Sequence, residues 1–91
     1  MGKELIKMRQ LRNEQFKIKA RLSTHELYAA KLRSNITNAW DDKSKENVVA
    51  TNALLLQEAR ADINACQSKL REIKRSYKAY NRVYDIRHAK K

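Results

Sequence analysis

Residues 49–84, VATNALLLQEARADINACQSKLREIKRSYKAYNRVY, place Val49, Asn52, Leu56, Ala59, Ile63, Cys66, Leu70, Ile73, Tyr77, Tyr80 and Tyr84 at alternating spacings of three and four. All but Asn52 are apolar or aromatic, and the register holds without a slip, which is the pattern of a helix with one apolar seam. Upstream, the same spacing picks out Met8, Leu11, Gln15, Ile18, Leu22, His25, Ala29, Leu32, Ile36 and Ala39. The two seams predict two long helices. The chain has no proline and a single glycine, Gly2, so it lacks the breakers that strands and tight turns need at short intervals.

Between the seams lies Asp41-Asp42-Lys43-Ser44-Lys45-Glu46-Asn47, the most polar stretch of the 91 residues. Ser44 or Asp42 is placed to cap a second helix, with Glu46 in its first turn. The expected elements are a helix over about 4–40, a turn over about 41–46 and a helix over about 47–87. A short turn between long helices predicts an antiparallel two-helix coiled-coil hairpin, all-α, in which residue i faces approximately residue 86 − i. One competing signal is Ser23-Thr24-His25-Glu26, which fits a capping box and would break the first helix to give a three-helix bundle. The seam passes through Ser23 without a phase change, and neither Gly nor Pro stands nearby.

Near the turn, Leu27, Tyr28, Ala30, Trp40, Val48, Ala50, Ala53, Leu54 and Leu55 are apolar but lie outside the seams. Two helices cannot cover them all, and exposed apolar patches of this kind mark interfaces. A homodimer is therefore expected, with Leu27, Tyr28, Trp40, Leu54 and Leu55 as self-association residues of a helical bundle. A small single core fits the same reading, since so short a chain buries only a modest share of its surface.

Charge is distributed unevenly. Residues 1–22 carry net +5, residues 23–68 carry −1 and residues 69–91 carry +7, which together make the +11 of the whole chain. Folding at the turn brings the two basic ends into one arm. Lys3/Lys7, Lys17/Arg21, Arg71/Arg75, Lys74/Lys78 and Lys78/Arg82 are like-signed pairs four apart, an arrangement that weakens an isolated helix. Packing brings Arg12 near Lys74 and adds to the repulsion. An anionic partner would relieve it. The residues expected to meet that partner are Lys7, Arg12, Lys17, Lys19, Arg71, Lys74, Arg75, Lys78 and Arg82.

Tyr77, Tyr80 and Tyr84 alternate with these cations and could stack on bases, but their seam positions assign them to the core with hydroxyls at its edge. Arg87 continues the second seam as a charge, so fraying is expected there, with His88, Lys90 and Lys91 in a basic tail. No motif supports catalysis: His25 lies on a seam, Asp41 and Asp42 read as capping groups, and Cys66 reads as a small hydrophobe. No Cys or His spacing resembles a metal site, and no cofactor is expected. The longest apolar runs are four residues, which excludes a membrane-spanning helix. With no secretory signal and a lone cysteine, the chain reads as cytoplasmic or resident in another reducing, soluble compartment.

The function expected from these features is that of a non-enzymatic helical interaction module. Its basic arm would bind a nucleic-acid backbone or ribonucleoprotein. The alternative is a small protein-binding assembly factor or inhibitor, of a phage or secretion type, that sets the arm against an acidic protein groove. Peripheral attachment to anionic lipid is disfavoured because the apolar width lies at the opposite end from the charges.

Overall fold

Without internal breakers the chain forms two uninterrupted helices. The computed structural model describes residues 2–88. Helix α1 spans Lys3–Ala39 and helix α2 spans Glu46–His88, joined by a single 3-10 turn at Lys43–Lys45. Among the described residues there is no strand, and every backbone φ is negative. The helices run antiparallel along a rod whose Cα envelope is 73 × 15 × 13 Å. Contacts between Asn35 and Asn52 near the turn, Arg12 and Tyr77 midway, and Glu4 and Arg87 at the open end fix that direction.

The turn is built by Asp42. Its backbone is extended (φ −105°, ψ 105°), and its carboxylate accepts from the Ser44 N–H at 3.0 Å and the Ser44 Oγ at 2.6 Å. Both bonds favour the charged form and hold the Asp42 carboxyl below its ordinary value of 3.8. Asp42 rather than Ser44 is the capping side chain. Its N–H reaches back to the Ala39 carbonyl at 3.2 Å, tying the end of α1 to the turn.

Every seam position on both helices is buried or half-buried. The core is thickest next to the turn, where Ala29 and Leu32 of α1 meet Leu56 and Ala59 of α2, with Ile36, Leu55 and Ile63 packed against them. Small residues at Ala29 and Ala59 let the two backbones approach there. No large side chain is fully buried, as expected when a single two-helix seam forms the whole core.

Three expectations need correction. The helix does not break at Ser23: α1 is continuous, and the Thr24 hydroxyl donates to the Ala20 carbonyl one turn back instead of capping a new helix. A capping-box sequence has no effect where the seam on both sides is already packed. Nor does α2 end at Arg87: it runs on to His88. The first seam, extended one step back from Met8, reaches Glu4, and Glu4 is buried with its carboxylate 2.7 Å from the Arg87 guanidinium. A charge at a seam position is tolerated because the facing seam position carries the opposite charge. His88 completes the helix, with its ring stacked on Tyr84 (centroids 4.0 Å apart) and its Nδ1 2.8 Å from the Tyr84 carbonyl oxygen. Lys90 and Lys91 lie outside the described residues. Finally, Leu55 is not a free surface residue, because it is half-buried against the core cluster of its own chain.

Candidate functional site

The half of the rod away from the turn gathers both basic ends of the chain. Three of its four acidic side chains are taken up locally by two cations: Arg87 pairs with Glu4, and Lys69 lies 3.6 Å from Glu14 and 3.8 Å from Glu72. Neither Lys69 nor Arg87 belongs to the nine cations singled out by sequence. Those nine, Lys7, Arg12, Lys17, Lys19, Arg71, Lys74, Arg75, Lys78 and Arg82, are all exposed, and among the described residues none of them forms a salt bridge. The internal ion pairs thus engage Glu4, Glu14 and Glu72, leave Asp85 outside them, and leave the nine cations facing water.

These cations fall into two groupings. On the outer side of α2, Arg75, Lys78 and Arg82 rise around Ala79 and line a shallow depression of about 490 Å³. In the groove between the helices, Arg12, Gln15, Ile73, Lys74 and Tyr77 line a second space of about 200 Å³. Arg12 and Lys74 line this space together. The Arg12 Nη2 donates to the Tyr77 hydroxyl at 2.6 Å, and the guanidinium lies 5.5 Å from the tyrosine ring centroid. Tyr77 is half-buried on the seam and shows its hydroxyl at the edge, which fixes Arg12 while leaving other guanidinium N–H groups free to donate. Lys7, Lys17, Lys19 and Arg71 lie outside both groupings, and Arg71 is hydrogen-bonded to Ser68 at 3.2 Å.

Sequence reading missed the apolar side chains of this same half. Phe16 is 76% exposed, more than any other large apolar residue described, and Ile6, Val83 and Ile86 are also exposed. The seam assignment already places all four off the buried face. The wider apolar band lies near the turn. There Leu27, Tyr28, Trp40, Val48 and Leu54 are exposed, with Leu27 at 73%, Trp40 at 69% and Leu54 at 65%.

Elsewhere, His25 and Cys66 are half-buried on their seams, and Cys66 with Ile18 and Ala65 borders a groove of about 380 Å³ rimmed by Glu14, Lys17, Arg21 and Lys69. Among the described residues no three His, Cys, Asp or Glu side chains come together at metal-binding spacing. No helix among them is long and apolar enough to cross a membrane. Compared with known protein families, curated proteins and solved structures, the chain matches none.

Proposed function

We propose that this chain is a non-enzymatic helical hairpin whose basic arm binds a nucleic-acid backbone. The observation that carries the reading is the division of charge partners: every acid of the arm that forms an ion pair is held by Lys69 or Arg87, while the nine cations named above, together with Lys3, Arg9 and Arg21, are exposed and form no salt bridge among the described residues. Such a surface gains by displacing condensed counterions from phosphates, so binding is tolerant of sequence and sensitive to salt. Reversal of Lys74, Arg75 and Lys78 to Glu, read by fluorescence anisotropy with a random-sequence duplex near 50 mM salt, should abolish binding. Retention of wild-type affinity by that variant would refute the proposal.

Self-association through the turn half belongs to the same reading. Leu27, Tyr28, Trp40 and Leu54 face outward where the charge is nearly balanced, so a second copy can cover them while the two basic arms stay apart. A second functional reading is favoured by one observation. Ile6, Val83 and Ile86 are exposed at the open end beside the cations, and apolar contact next to charge suits an acidic protein groove better than a row of phosphates.

A further inference from the structure

We infer that Phe16 is a stacking platform for an unpaired base, so that the arm prefers single-stranded nucleic acid over duplex. The inference rests on the polyanion reading above and narrows its ligand.

Phe16 sits one residue past Gln15, off the seam, and its ring gains nothing from the core: it is 76% exposed. Burying a side chain of this size from water is favourable, and the hairpin itself does not bury it. The surroundings of the ring decide what can cover it. Arg12 lies four residues before it and Lys19 three residues after it, positions whose Cβ atoms lie about 5–6 Å away on a helix surface. Lys17 follows directly. Asn13 and Ala20 complete the neighbours at that spacing, and none of the five is acidic or large and apolar. The nearest other large apolar side chain exposed on α1 in this half is Ile6, ten residues or about 15 Å along the helix. An isolated aromatic ring in a field of cations is unlike the continuous apolar centre that a protein interface requires. It matches the elements of single-strand recognition, where a ring takes the face of a base and flanking cations take the phosphates on either side.

The groove supplies the second part. Arg12 is pinned by the Tyr77 hydroxyl at 2.6 Å and shares its space of about 200 Å³ with Lys74 of the other helix. A strand that stacks one base on Phe16 can therefore meet cations from both helices without rearranging the hairpin. A duplex presents its phosphates to the same cations but keeps its base faces covered. Phosphate contacts are open to both forms, and the aromatic contact to only one.

The test compares wild type with Phe16→Ala and Phe16→Trp, titrated against a 12-nucleotide dT strand, the same strand built from abasic sites, and a 12-base-pair duplex. The abasic strand keeps the phosphates and removes the faces to be stacked. Phe16→Ala should lose about 5- to 150-fold in affinity for dT, the span reported for one stacked base. It should change abasic-strand and duplex binding by less than twofold, and Phe16→Trp should keep or raise dT affinity. Equal losses on all three ligands, or none on dT, would overturn the stacking role while leaving the phosphate reading standing. Absence of wild-type binding to every one of the three would overturn both and point to the acidic protein groove.

Discussion

Asp42 is a single side chain on which the turn depends, and its ionisation state is coupled to it. Because its folded-state pKa is depressed by the two Ser44 hydrogen bonds, its contribution is fully present above the ordinary value of 3.8 and is lost as pH falls below that value through the folded pKa. An NMR titration should place Asp42 below 3.8, and Ser44→Ala should move it back upward by removing the shorter of the two bonds. No upward movement in that variant would mean that the turn, not Ser44, sets the ionisation. Asn52 plays a different part. It is the one amide on the second seam, accepting from Asn35 at 3.1 Å and donating to the Val48 carbonyl at 2.7 Å. A polar seam residue of this kind fixes register at some cost in stability. Asn52→Leu should raise Tm, since apolar burial outweighs hydrogen bonds worth about 1 kcal/mol each, and should broaden the distribution of oligomers in sedimentation velocity. A lower Tm with an unchanged distribution would contradict this role.

At the scale of the helices, the Glu4–Arg87 pair closes the open end, and it is asymmetric: the Glu4 side chain is buried while that of Arg87 is largely exposed. Arg87→Ala would leave Glu4 without its cation, at a cost of about 1 kcal/mol once solvent screening of the exposed partner is counted. Amide exchange in the last turn of α2 should quicken, with little change near Asn52. The surface of α2 behaves in the opposite way, since Lys74, Arg75 and Lys78 are exposed and outside the seam. Their reversal to Glu should leave helicity intact and raise thermal stability slightly, because the Arg71/Arg75 and Lys78/Arg82 pairs turn attractive, while positions 74 and 78 stay like-signed, and residue 74 faces Arg12 with an attractive sign. A loss of helicity on circular dichroism would show these side chains to be structural. Which residues share a buried face was legible in the sequence, because heptad spacing is a local property that packing only has to obey. The Glu4–Arg87 closure was not. Each residue alone is a charge at the end of a seam, and only the antiparallel register brings the two together. Phe16 was not legible for a related reason: a ring outside the seam acquires meaning from the cations around it, not from its own position in a repeat.

At the scale of the whole molecule, the rod has a near-neutral apolar end and a basic end, and the two make separate predictions. Leu54→Glu places a charge on the exposed turn half and should convert a dimer to a monomer in light scattering without unfolding the hairpin. Leu55 is unsuitable for this purpose because it packs in the chain's own core. A wild type already monomeric at tens of micromolar would remove the dimer from the account. The basic end carries the central claim, that exposed cations left over from internal pairing meet phosphates. The most direct measurement is the salt dependence of wild-type affinity for a random-sequence duplex. Five neutralised phosphates predict a log–log slope of magnitude about 4 or more, and the Lys74, Arg75 and Lys78 reversal should abolish the binding altogether. A wild-type protein that fails to bind near 50 mM salt, or that binds with a slope near zero, would contradict it.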